Sequence, residues 1–306
     1  MTSLPESELQ FCEDNGIAIL TPGQSAYPRR LGQMAGAPDP LFALGTCDLN
    51  ARHTVALVGT RNSTAYGNRV TARIVEELAS ALDDVVIVSG LAYGIDVEAH
   101  KAALAAGIPT IGVVAHGLKT IYPAAHRDIA ARMIRQGGAL VTAYTSGIHA
   151  ERRNFLERNA VIAGIADTVI VVESKAHGGA LVTATHCRKL GRTVCAVPGE
   201  VTAETSRGTN ELIFSGQAKM VRNGRDVADI MGWTTLQLNE PEPEPLALPA
   251  ELQRIVDHLR KHPEHTADHI LRVFDLTYSA LAPMITRLEL AGALEARPGG
   301  RFKLLV

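Results

Sequence analysis

The stretch Val58-Gly59-Thr60-Arg61-Asn62-Ser63-Thr64 puts small polar residues and one guanidinium directly after an apolar, β-branched run. At the carboxyl end of a buried strand such a turn points backbone N–H groups out of the sheet and opens a helix, whose dipole adds to an anion site. Gly59 and Thr60 would then cradle a phosphate, with Arg61 as a fixed positive fork. An ordinary tight turn is the alternative. The dinucleotide spacing G-x-G-x-x-G is absent, so no nicotinamide or flavin is supported and no cofactor is expected.

Ser89-Gly90-Leu91-Ala92-Tyr93-Gly94-Ile95-Asp96 ends a second apolar run, and His100 follows Asp96 at i,i+4 spacing. Ser, Asp and His invite a triad, yet Asp96 and His100 share one helix and the G-x-S-x-G elbow is missing. The expectation is that Asp96 caps this helix and His100 packs or hydrogen-bonds beneath the same edge. No residue is assigned a catalytic role.

Charge departs from the average between His116 and Ala160. Lys119, Arg127, Arg132, Arg135, Arg152, Arg153 and Arg158 face only Asp128, Glu151 and Glu157, an excess of four positive charges. Arg152-Arg153-Asn154-Phe155-Leu156-Glu157-Arg158-Asn159 interleaves guanidinium groups with one ring, a combination able to follow a phosphate backbone and stack a base. A solvated helix start with Phe155 in the core explains it equally well. His262, His265 and His269 cluster beside Thr266, a helix N-cap candidate, without an acidic or thiol ligand, and no metal is expected. Cys12, Cys47, Cys187 and Cys195 never fall in a Cys-x-x-Cys pair and read as small core residues.

These groups need elements to hold them. The runs Thr54–Val58, Val85–Val88, Thr110–Val114, Ala139–Val141, Thr168–Val172 and Thr193–Val197 are continuous rather than alternating. That is the pattern of strands buried on both faces, and it predicts a doubly wound parallel α/β sheet covered by helices. Val70, Ile74, Leu78 and Leu82 lay one apolar stripe along the first crossover helix. Residues 1–50, rich in proline, read as an irregular lead-in, and 51–238 as the α/β domain. Residues 239–249, where Pro alternates with Glu, read as an extended linker. Within 250–306, three helical patterns around Leu252, Ile270 and Leu281 precede glycines at 292, 299 and 300 that bracket a hairpin, which predicts a winged-helix domain. Its third helix, Tyr278–Ala291, holds Arg287 as its only base, too few donors for reading a DNA groove, so this domain is expected to meet protein.

Lys plus Arg number 30 against 32 Asp plus Glu, so no global field draws the molecule onto nucleic acid or lipid, and any such affinity must be local. No window approaches 18 uninterrupted apolar residues and the first residues have no leader pattern, so a soluble, cytoplasmic protein without membrane contact is expected.

Several collinear blocks resemble the bacterial DNA-processing family called DprA or Smf: Val58-Gly59-Thr60-Arg61, Ser89-Gly90-Leu91-Ala92-x-Gly94-Ile95-Asp96, Gly117-Leu118-x-x-x-Tyr122-Pro123, Arg158-Asn159 and Gly208-Thr209-Asn210. The resemblance implies an extended Rossmann domain that binds single-stranded DNA, forms a homodimer and helps load the RecA recombinase during natural transformation, without catalytic turnover. By position, Arg61 resembles the family's phosphate-binding arginine, and Arg152, Phe155 and Arg158 its basic, aromatic and Arg-Asn-Arg elements. The chain departs from the pattern at Ala160, where a second arginine is usual. It also departs at Thr142-Ala143 in place of Ser-Glu, and at Gly178-Gly179-Ala180 in place of Ser-Gly-Ser. A nucleotide-binding sensor, or a phosphoribohydrolase-like enzyme on the same Rossmann variant, is the competing reading. The second of these lacks its acid at Ala176–Leu181.

Overall fold

The computed structural model describes residues 4–233, 248–261, 266–297 and 300–304. The chain separates into two compact units, 1–238 and 239–306. In the first, α1 (Glu6–Asp14), β1 (Ala18–Leu20), α2 (Arg29–Gly32) and β2 (Leu41–Gly45) precede β3 (His53–Val58) and α3 (Ala65–Ala81). Then come β4 (Val85–Ser89), α4 (Ile95–Ala105), β5 (Thr110–Val113), α5 (Arg127–Arg135), β6 (Ala139–Thr142), α6 (Arg152–Ile165), β7 (Thr168–Val171), α7 (Gly179–Lys189) and β8 (Thr193–Ala196). The unit closes with α8 (Arg207–Phe214), β9 (Lys219–Met220) and α9 (Gly224–Met231).

The nine strands form one sheet in the order β1-β2-β6-β5-β4-β3-β7-β8-β9. From β6 to β9 every pairing is parallel, with Val55 opposite both Ile87 and Thr168. Alternate residues of the central strands feed opposite faces. Ala56 and Val58 meet Leu31 of α2, Ile162 of α6 and Ala184 of α7, whereas Val55 and Leu57 meet Ile74 and Leu78 of α3 and Ile95 of α4. Each fully buried aliphatic side chain contributes about 1.5–3 kcal/mol, so strands buried on both sides are the stability core.

The lead-in differs from expectation. Residues 6–45 are mostly regular, and β2 joins the sheet antiparallel to β6, with Phe42 opposite Thr142, while β1 adds outside it. The prolines that suggested irregular chain stand at element starts: Pro5 and Pro28 immediately precede α1 and α2, and Pro40 immediately precedes β2. There the missing N–H costs no hydrogen bond. Phe42 then covers Cys12 of α1, and Leu41 faces the main core.

In the second unit, α10 (Ala250–Lys261), α11 (Ala267–Phe274), α12 (Tyr278–Leu290) and the antiparallel pair β10 (Leu294–Arg297) and β11 (Arg301–Leu304) enclose Leu252, Ile255, Ile270, Leu281 and Leu288. Thr266 caps α11, its hydroxyl accepting from the His269 N–H at 3.2 Å. This is the three-helix and wing arrangement that the sequence pattern predicts. The linker at 239–247 and the histidines at 262 and 265 lie outside the described residues. Among the described residues no cluster of three metal-ligating side chains is present, and no helix is long and apolar enough to cross a membrane.

Candidate functional site

The sheet order runs outward from β3 through β4 on one side and from β7 on the other, so a crevice opens at the carboxyl ends of β3 and β7, where such folds hold ligands. Here the crevice is occupied from within. Glu173, one residue past Val172 and 1% exposed, accepts from the Thr64 N–H at 2.9 Å and from the Thr64 hydroxyl at 2.5 Å. Its own carbonyl accepts from the Thr60 N–H at 2.8 Å. The Thr64 hydroxyl in turn caps α3 by accepting from the Gly67 N–H. An internal carboxylate thus sits at the positive end of α3, beside the turn of Gly59 and Thr60 expected to cradle an anion. A Cβ at Gly67 would run into that carboxylate.

Arg61 leaves the turn on the other side. Its backbone is pressed against the β4–α4 turn, where Gly94 has φ +75° and a Cβ would strike the backbone of Thr60 and Arg61. The Ile95 N–H donates to the Thr60 carbonyl at 3.2 Å, tying the two turns together. The exposed Arg61 guanidinium then lies 4.8 Å from the centroid of the Phe155 ring. Phe155 is half-buried in the first turn of α6, with the Arg158 guanidinium 5.7 Å away and the Tyr122 ring at 6.0 Å. Arg61, Tyr93, Tyr122 and Phe155 line one shallow depression. Phe155, read as either a core or a stacking ring, is half-buried with the Arg61 and Arg158 guanidinium groups near its ring at the sheet's carboxyl edge.

Arg158 differs from its expected role as a strand-tracking base. It is 4% exposed, and its Nη1 donates to the carbonyls of Gly90 at 2.5 Å and Val113 at 2.6 Å. Burial pulls its pKa down, opposed by the Asp96 carboxylate. Arg158 is a buried strut that fixes Phe155 and the β4 end, and a Cβ at Gly90 would collide with it. Asn159 donates to the Gly179 carbonyl at 3.4 Å, linking α6 to α7. Lys119, in the segment after β5, and Arg152, at the start of α6, are both exposed. The α6 N-terminus has no acidic residue in its first turn and no side-chain capping bond, and its N-cap residue is Glu151.

Asp96 does not cap α4; Gly94 does. The Asp96 carboxyl is buried, its pKa raised by desolvation against the pull of Arg158 and the Ala92 N–H. His100, fully buried, contacts Thr110 Oγ1 through Nδ1 at 2.7 Å. The Thr110 hydroxyl spends its one hydrogen on the Ile87 carbonyl, so Nδ1 carries the imidazole proton. Desolvation and the nearby Arg158 and His126 push the His100 pKa down to about 3. A neutral, buried ring bonded to a threonine is a packing element.

Sequence reasoning missed Tyr93 and Tyr122, each 49% exposed and both facing the depression. Their position beside Gly94 and Pro123, at strand-end turns, was the available signal. It also missed Glu173, whose partner in the turn is 109 residues away.

The fold sets the class: an extended Rossmann-type sheet followed by a winged-helix domain. Residues 18–232 match the family model described as DNA recombination-mediator protein A, and residues 239–300 that of the DprA winged helix domain. The chain belongs to the DprA family of DNA-processing proteins. It is 33% identical over 311 residues to Protein Smf of Escherichia coli, a match covering 98% of this chain and 80% of that one. DNA processing protein A of Streptococcus pneumoniae superposes with a TM-score of 0.67 at 33% identity, over 74% of this chain and 78% of its own. The Helicobacter pylori protein, whose structure addresses a single-stranded DNA binding mode, does so with 0.62 at 27% identity, over 70% and 95%.

Proposed function

We propose that this protein binds single-stranded DNA along the depression of Arg61, Tyr93, Tyr122 and Phe155, as a cytoplasmic, non-catalytic homodimer. In this reading it hands the strand to the RecA recombinase during natural transformation. The observation that carries the reading is the exposed Arg61 guanidinium 4.8 Å from the half-buried Phe155 ring, at an edge where two further tyrosines are exposed. Strand binders pair a positive track with rings on which bases stack, and every base offers a π-face. Arg152 and Lys119 extend the positive track, while Gly59 and Thr60 set the backbone from which Arg61 projects. Arg158 and Asn159 support the site from beneath. The absence of turnover is supported by His100, whose buried ring is committed to Thr110.

Self-association fits the β9 end of the sheet. β9 is a two-residue edge strand on which Met220 is 50% exposed, and Phe214 at the end of α8, just before it in the chain, is 89% exposed, apolar groups that a second copy would cover.

Fluorescence anisotropy with single-stranded and duplex oligonucleotides tests the reading. Single strands should bind more tightly, and Arg61→Ala should weaken that binding and flatten the slope of log affinity against log salt by about 0.7, the value of one lost phosphate contact. A folded Arg61→Ala variant with the parent's affinity and slope would place the strand elsewhere.

A further inference from the structure

Between β5 and α5 the chain runs from Val114 to His126, and it carries Tyr122 into the aromatic depression. The two parts of this segment are held differently. At its start, the Thr142 hydroxyl donates to the His116 carbonyl at 2.8 Å, and the Gly117 N–H donates to the Ile148 carbonyl at 2.9 Å. A Cβ at Gly117 would strike the backbone of Thr145 and Ser146, so His116 stands on backbone pressed tightly against the segment after β6. Beyond Gly117 the hold is thin. Leu118 and Ile121 are partly buried. Among the hydrogen bonds of the described residues, the backbone of 118–122 makes one: the Tyr122 N–H donates to Nε2 of His116 at 3.2 Å.

Two contacts fix the state of this imidazole. Its Nδ1 lies 2.9 Å from the Gly117 carbonyl, which can only accept, so Nδ1 carries the proton. Nε2 then keeps the lone pair that a backbone N–H requires. The ring is 1% exposed, and burial pushes its pKa down, with the Gly117 contact opposing and the Arg158 charge adding to the fall. An apolar side chain could fill the same space, but it would leave the Tyr122 N–H without this acceptor and release the end of the segment that bears the ring.

We propose that His116 is the positioning residue of the aromatic depression: by accepting the Tyr122 N–H it seats the Tyr122 ring 6.0 Å from that of Phe155, where the two can hold a base together. A ring already in place costs no ordering when a base arrives, and a segment held by one hydrogen bond loses that advantage when the bond goes. The effect on DNA rests on the single-strand reading above, whereas the seating of Tyr122 rests on the geometry alone.

Two amides separate the contacts of the imidazole. His116→Asn keeps a donor where Nδ1 stands and offers nothing to the Tyr122 N–H, whereas His116→Gln reaches as far as Nε2 and presents a carbonyl oxygen there. Anisotropy on the full chain with a single-stranded oligonucleotide should find His116→Asn about tenfold weaker than the parent and His116→Gln within about threefold of it. Tyr122→Ala should weaken binding at least as much as His116→Asn, and combining the two should cost nothing further, because the imidazole acts through that ring. Thermal midpoints check folding. If His116→Asn does not fold, His116→Met, which is apolar and accepts only weakly, takes its place. NMR reports the seating without DNA: contacts between the Tyr122 and Phe155 rings should persist in the parent and in His116→Gln and vanish in His116→Asn. The inference is overturned if folded His116→Asn binds as the parent does, if His116→Gln loses as much, or if the loss persists in the Tyr122→Ala background. A parent that binds no single strand sinks the strand reading itself; the ring contacts then decide the seating, and their survival in His116→Asn overturns it.

Discussion

Phe155 and Arg61 touch, yet removing them should have different signatures. In the proposed site Arg61 carries charge to a phosphate, so its loss should show in the salt slope. Phe155 offers a ring face, so Phe155→Ala should cost roughly 1–3 kcal/mol of single-strand affinity while the slope of log affinity against log salt stays as it was. Because the ring is half-buried, its stability cost should fall below the 3–5 kcal/mol of a core phenylalanine, and urea unfolding separates the two effects. A Phe155→Ala variant that flattens the salt slope instead would mean the ring acts only by seating Arg61. A second residue-scale expectation concerns His100. Its folded pKa is about 3 against 6.5 for an unperturbed histidine. The unfolded chain takes up a proton as pH falls through 6.5 and the folded one does not, so the stability it contributes is complete above that pH and drains away toward about 3. At pH 5 the loss from this one group is about 2 kcal/mol. His100→Gln, which removes the titration, should therefore lose less stability between pH 7 and 5 than the parent, by about that amount. Equal losses in the two proteins would show that His100 is not held neutral.

The α3 N-terminus is where helix, strand and turn lock together. The Thr64 hydroxyl accepts from Gly67 and donates to Glu173, so Thr64→Ala removes a cap and strips a buried carboxylate of a donor. About 1–2 kcal/mol of unfolding free energy should go in denaturant titrations, with Thr64→Ser restoring most of it. A Thr64→Ala variant as stable as the parent would contradict the cap. The same place marks what the sequence disclosed. The runs of β3 to β8 were legible because burial on both faces forces continuous apolar residues, and the α3 stripe because Ile74 and Leu78 must meet one face of the sheet. β1 was not, since three residues show no period, and proline density hid that Pro5, Pro28 and Pro40 precede elements. At the site, Arg61 and Phe155 were legible by type. That the anion end of α3 is filled by Glu173, and that Arg158 is buried, depends on contacts between distant segments that spacing along the chain does not encode.

At the scale of the whole molecule, the proposed strand site lies within one of the two units. Every residue of the aromatic depression belongs to the α/β unit, whose core is complete without the winged-helix domain. In that domain α12 offers Arg287 as its single Lys or Arg, and the helix exposes apolar and aromatic surface instead, Tyr278 at 70% and Leu290 at 85%. A helix that reads a groove needs several hydrogen-bond donors, whereas exposed rings and leucines suit a protein surface. A chain ending at residue 239 should consequently keep its fold and bind single strands within about tenfold of the full chain, a difference under roughly 1.4 kcal/mol. Anisotropy on both forms, at matched salt, measures this directly. If the shortened chain is folded but no longer binds, the winged helix contributes contacts to the strand, and the assignment of the DNA surface to the α/β unit alone fails with it.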